Sequence, residues 1–315
     1  MVNFGGRWNH QRTKRLSLGP WPRDDGAAGR FDREVDVLCV GSGPAVLAAA
    51  ISAADAGMEV LVAAHSYAPK RAVQESLPRS WAVILRSAWG LEELPDATME
   101  YLRGLTDDVS PPDPALKLDA LNFRHVDEPT TGSARSSGTV APFFGAALLR
   151  WSRVCLSAPY GLLYSGVSIP GAKEFVQESG ERLEVSTLGP PPRDRMETSL
   201  SAWMLMQARE RGVEVCAVGS LQQLIFDDHE VVGAVFGEGP GSLAVHTRHG
   251  VALCTSHRGT EDSAMREAWQ STNSQLGLVS AVASRFGRLE LLTNQASRCT
   301  LPVGHYRSSR KMIPS

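Results

Sequence analysis

The run Val35–Ala64, VDVLCVGSGPAVLAAAISAADAGMEVLVAA, constrains the fold of this chain more than any other stretch. Val35, Val37, Leu38 and Val40 predict a short buried strand, and Gly41-Ser42-Gly43 a tight turn. The Ala-rich stretch Pro44 to Ala56 then reads as a helix stopped by Gly57, and Val60-Leu61-Val62 as a second strand. A glycine turn between a strand and a helix lets backbone N–H groups approach a pyrophosphate, which then rests on the positive end of the helix. Gly41, which allows the turn, and Gly43, which allows the close approach, are therefore the candidates read from the pattern itself.

Two positions in the run depart from the full dinucleotide fingerprint. The third glycine of G-x-G-x-x-G is replaced by Val46. Where an acidic residue would take the ribose hydroxyls, at the end of the second strand, stand Ala63, Ala64 and His65. The polar residues His65, Ser66, Lys70 and Arg71 also fit an NADP site at the same turn, since a 2′-phosphate calls for such groups.

At 315 residues the chain can bury one large core or two modest ones. A net charge of −2 gives no global attraction for nucleic acid or an anionic membrane surface. The five cysteines (Cys39, Cys155, Cys216, Cys254, Cys299) are scattered and form no C-x-x-C pair. They read as buried thiols of a cytoplasmic protein, not disulfides or a zinc site. No apolar run reaches transmembrane length, and no apolar signal core opens the chain.

Residues 1–34 are expected to form a flexible N-terminal arm, and 291–315 a tail. Residues 66–196 read as a helical and irregular insertion. Within it Trp81–Trp89 is apolar, Asp96 is placed to cap a helix ended by Pro111-Pro112, and Phe143–Ser157 has apolar residues at helical spacing. Regular structure returns with a helix capped by Thr198 or Ser199 and ended by Gly212, followed by the strand Val213–Cys216. Leu221–Phe226, Val231–Phe236, Leu243–Thr247 and Val251–Cys254 then alternate like an antiparallel meander, with a turn at Asp227-Asp228. Ala264–Trp269 and Leu276–Arg285 read as helices. The expected class is α/β: a Rossmann-like FAD/NAD(P)-binding domain with a parallel sheet, made of 35–65 and 197–290, plus the meander and the insertion.

The strand–GSG–helix start, the helix leading into Gly212-Val213-Glu214-Val215, and LQQLIFDDHEVVGAVF running into HGVAL together resemble one family. It is the FAD-dependent oxidoreductases that include fumarate reductase, succinate dehydrogenase flavoproteins and ketosteroid dehydrogenases. DATMEYLRGLTDD and FFGAALLRWSRVCLSAPYGLLYS are similar to stretches of the ketosteroid branch.

The resemblance implies FAD as cofactor, with the pyrophosphate at Gly41–Ala45 and the adenine facing the backbone of Leu221. It implies oxidation or reduction of a carbon–carbon bond beside a carbonyl, in a small apolar, steroid-like substrate. The family's glycine pairs after the second strand are absent from 67–80, its A-T-G-G strand end is Cys254-Thr255-Ser256-His257, and no glycine-rich closing segment follows Leu292. These departures predict a weakened or lost FAD site, completed by a partner subunit or given over to a non-catalytic role. For proton transfer the candidates are Tyr160, Tyr164, His125 and Arg150, of which Tyr160 stands between Pro159 and Gly161; anchoring a loop is the competing role for that ring.

Overall fold

The computed structural model describes residues 31–65, 80–89, 95–111, 121–125, 144–158, 160–166, 169–177, 181–190, 199–237, 241–255 and 274–293. The protein is a mixed α/β molecule built on one large sheet. Strand β1 (Arg33–Val40) lies near its centre, and its apolar residues from Val37 onward are buried on both faces. That is the signature of an interior strand with parallel neighbours. On one side β2 (Val60–His65) pairs parallel with β1, and β7 (Glu214–Val218) parallel with β2. On the other side β10 (Leu243–Cys254) pairs parallel with β1.

Helix α1 (Pro44–Asp55) connects β1 to β2 as expected. Proline at its first position suits a helix start, since that residue's missing N–H has no intrahelical partner to lose. Gly57 ends it at φ +80°, a backbone conformation that side chains disfavour. Every residue from Pro44 to Ala53 is buried, so α1 is a core helix packed on the sheet and beside α5 (Leu200–Glu210). Ser199 caps α5, its hydroxyl accepting from the amide of Ala202 at 3.1 Å.

Strands β8 (Leu221–Asp227), β9 (Glu230–Phe236) and β10 form the expected meander. Its tight turn is centred on Asp228 and His229, both at positive φ, one residue beyond the expected place. The two short strands expected at Leu243–Thr247 and Val251–Cys254 are one continuous strand. A register shift opposite Val35 and Val37 and a positive φ at Gly250 let β10 bend without breaking.

The sheet continues past β10 into an antiparallel half: β4 (Gly161–Tyr164), β12 (Phe286–Thr293), β11 (Ser274–Ala281), β6 (Arg182–Gly189) and β5 (Lys173–Val176). Strand β3 (Asn122–His125) pairs parallel with β12. One expectation is corrected here. Leu276–Arg285 is not a helix: it holds most of β11 and the turn into β12. Both faces of β11 are covered, which erases the alternation that marks a half-exposed strand. Leu292 also lies so close that a Cβ on Gly277 would stand 2.2 Å from its Cδ1. The expected helical and irregular insertion, 66–196, also carries strands among its described residues. It supplies α2 (Trp81–Ala88), α3 (Asp96–Thr106) and α4 (Phe144–Ser157), but also β3 to β6, and β4 is stitched directly to β10. Asp96 is the first residue of α3 and makes no cap bond; Pro95 holds the N-cap position.

Ala264–Trp269, the residues 1–30 and the stretch 294–315 lie outside the described residues. Among the described residues no helix is long and apolar enough to cross a membrane.

Candidate functional site

The candidate turn sits where β1 meets α1, at the carboxyl ends of the parallel strands. The amide of Gly41 donates to the carbonyl of Ala63 at 3.0 Å, which ties the turn to the end of β2. Gly41 is buried at φ +129°, and a Cβ there would lie 2.8 Å from Cys254 Sγ and 3.1 Å from Val46 Cγ2. Glycine at 41 is thus required by the protein's own packing.

Gly43 is different. It is the N-cap of α1, with φ −82° and ψ 167°, a conformation open to any residue. A Cβ at this position would meet nothing within 4 Å among the described residues. Neither backbone strain nor packing calls for glycine, and a Ser, Thr, Asp or Asn there would cap the helix better. The helix start carries no side-chain cap and no acidic residue in its first turn, so the positive end of the α1 dipole is not neutralised from within the helix. Ser42 beside it is exposed, while Pro44 and Ala45 are buried in the first turn of α1. The turn therefore fits the diphosphate of a dinucleotide: an open glycine face backed by a helix N-terminus.

The end of β2 does not fit the ribose contact. Ala64 is partly buried, and its neighbour in register on β7 is Ala217, so two methyl groups stand side by side where a carboxylate would be needed. Residues 66–79, which include Ser66, Lys70 and Arg71, and the side chain of His65 lie outside the described residues. Val46, in the third glycine position, is wholly buried and packs against Gly41. Leu221 opens β8, wholly buried and paired with Phe236, on an element separate from the turn.

The proton-transfer candidates are dispersed. Tyr160 is buried, and its carbonyl accepts from the amide of Leu289 at 3.0 Å, so it anchors β12. Tyr164 is buried in β4 with a hydroxyl that has no hydrogen-bond partner among the described residues. Burial pushes that phenol well above its ordinary range, with the neighbouring Cys39, Cys155 and Glu184 adding to the rise. Arg150 is exposed on α4, and the side chain of His125 lies outside the described residues.

Sequence reasoning missed two constellations. Beneath the turn, the buried indole N–H of Trp89 donates to the carbonyl of Cys254 at 2.7 Å. In the antiparallel half, wholly buried Glu290 is gripped by Arg124 and by Arg288, whose Nε lies 2.6 Å from Oε1, and both guanidinium carbons sit 5.4 Å from the centre of the Trp151 ring. Trp89 and Cys254 are 165 residues apart in the chain and Arg124 and Glu290 166; only Arg288 is local to Glu290, so no local pattern announces either constellation in full. At the opposite end of β1 an open depression of about 430 Å³ is lined by Phe31, Asp32, Arg33, Glu34 and His246.

No protein-family model matches the chain, and no curated protein sequence matches it. Among solved structures, the 3-ketosteroid-Δ4-(5α)-dehydrogenase from Rhodococcus jostii RHA1, in complex with 4-androstene-3,17-dione, is similar at 22% identity and a TM-score of 0.29. The match covers 74% of this chain and 48% of that one. The flavin-dependent brominase Bmp2 follows at 18% identity and TM-score 0.25, over 69% of this chain and 37% of the brominase. The myxobacterial chondrochloren halogenase CndH, a variant of FAD-dependent halogenases, matches at 11% identity and TM-score 0.27, over 83% of this chain and 53% of the halogenase. The chain thus spans about half or less of the length of these three solved proteins.

Proposed function

We propose that this chain is a flavoprotein of Rossmann-like fold whose Gly41–Ala45 turn holds the diphosphate of FAD. One observation carries the reading: Gly43 is a glycine that neither its backbone angles nor its packing requires, at the open start of a buried helix. In this reading residues 35–65 and 197–290 form the FAD-binding part, and Leu221 faces the adenine through its backbone. Ser42 and the first amides of α1 bind and orient the diphosphate, and the helix dipole offsets its charge. FAD, when bound, supplies a two-electron acceptor for hydride. The proposed reaction is oxidation or reduction of a carbon–carbon bond beside a carbonyl in a small apolar, steroid-like substrate; it rests on the sequence resemblance to the ketosteroid branch. The buried free thiols Cys39, Cys155 and Cys254 support a cytoplasmic setting.

A second reading has its own support: a flavoprotein fold that no longer catalyses and serves as a subunit or scaffold, with a partner completing the site. Ala64 and Ala217 offer the ribose no acid, and the two tyrosines best placed by sequence are buried, Tyr164 with its hydroxyl sealed in the core. An absorbance spectrum from about 300 to 600 nm, before and after incubation with FAD and desalting, separates the two. Retained flavin bands, with bleaching by a saturated ketone that is dehydrogenated or recovery of the bands of chemically reduced flavin by an enone, support the enzyme. A protein that is colourless after incubation with FAD and desalting defeats the flavoenzyme reading and turns the search to partner subunits.

A further inference from the structure

We infer that Trp89, which belongs to the segment after α2 and not to the β1–α1–β2 unit, is a positioning residue for the diphosphate-binding turn. The inference rests on the dinucleotide reading above and adds a residue to it. Trp89 is wholly buried, and its own amide closes α2 by donating to Leu85 and Arg86 carbonyls at 3.0 and 3.2 Å. Its indole N–H then fixes the carbonyl of Cys254, the last residue of β10, at 2.7 Å. The neighbouring Leu253 is in register with Val40, the residue before the turn.

Cys254 is also the wall of the turn. Its Sγ and Cβ stand 2.8 and 3.4 Å from the place a Cβ on Gly41 would occupy, with Val46 Cγ2 pressing at 3.1 Å. The turn is wedged from within by Cys254 and Val46 and open outward at Gly43. The directions of its amide hydrogens therefore depend on where the end of β10 stands, and Trp89 holds that end. Burial raises the Cys254 thiol to about 12, so it acts here as a neutral apolar wedge. A Trp89 that only filled the core would serve every part of the site equally; one that positions the turn serves the diphosphate in particular.

The test measures binding of FAD, ADP and adenosine to the full chain by equilibrium dialysis, with wild type, Trp89→Phe and Cys254→Ala. Circular dichroism monitors the fold of each. Trp89→Phe keeps an aromatic side chain, smaller than the indole, and removes the N–H, which leaves the buried carbonyl without that donor. It is expected to weaken FAD and ADP by about tenfold while adenosine binding changes less than about twofold. Cys254→Ala removes the wedge and is expected to show the same pattern, and it decides the matter if Trp89→Phe fails to fold. Equal affinities in wild type and variants, or equal losses for ADP and adenosine, overturn the positioning role while leaving the dinucleotide reading intact. A wild-type chain that binds neither FAD nor ADP overturns both.

Discussion

Arg33 grips the carboxylate of Glu214 with both terminal nitrogens, each 2.6 Å from an oxygen, joining the first residue of β1 to the first residue of β7 across the width of β2. The fork-to-fork geometry is the strongest form of ion pair that a surface allows. Hydrogen bonding from Arg33 holds the Glu214 carboxyl at about 2, against the partial opposition of burial.

The pair therefore contributes stability that is fully present above the ordinary carboxylate range and fades as the pH falls toward about 2. Glu214 is half exposed, and solvent screening keeps the contribution small. Glu214→Gln is expected to cost about 0.5–1 kcal/mol at neutral pH. The gap between variant and wild type should close as urea unfolding is repeated at successively lower pH; a gap that is constant with pH would refute this assignment.

The two glycines of the turn should separate cleanly on substitution. Gly41→Ala forces a side chain into a left-handed conformation against Cys254 and should cost about 1–3 kcal/mol. Gly43→Ala places its methyl in open space, so the fold should lose no more than about 1 kcal/mol. Its effect belongs to the ligand: FAD binding, measured by dialysis, should fall well beyond what thermal unfolding of the free protein shows.

Glu290 has no exposure to solvent and sits between Arg124 and Arg288. Glu290→Gln takes the buried counter-charge from both guanidinium groups, leaving Arg124 only the more distant, half-exposed Glu181 at 4.0 Å, and about 3 kcal/mol of stability should go with it. Replacing the three residues together by Met, Leu and Met should recover most of that loss, because the desolvation cost leaves with the charges. Chemical unfolding of both variants checks the contrast; similar losses would mean that packing around Trp151, not charge, governs this part of the sheet.

The Tyr164 hydroxyl is buried without a partner among the described residues, an arrangement that costs free energy in the folded state. Tyr164→Phe should accordingly raise stability by about 1 kcal/mol, read as an upward shift in the thermal midpoint. A more stable variant with unchanged turnover would end any role for Tyr164 in proton transfer. A more stable variant that loses turnover would identify a hydroxyl kept for function at the expense of the fold.

Local pattern alone determined the β1–turn–α1–β2 unit, the helix from Ser199 and the β8–β9 hairpin. In each the signals are neighbours in sequence: an apolar run, a glycine or proline at the boundary, a hydroxyl cap, a two-residue turn. The glycine turn was legible as a turn for the same reason. Tertiary structure decided what lies across the sheet. The run from Leu276 became a strand because β6 and β12 cover both its edges, and only non-local hydrogen bonds choose strand over helix for a segment buried on both faces. The division of labour between Gly41 and Gly43 is invisible in the letters G-S-G. It follows from Cys254, more than 200 residues away in the chain, filling the space beneath one glycine and leaving the other open.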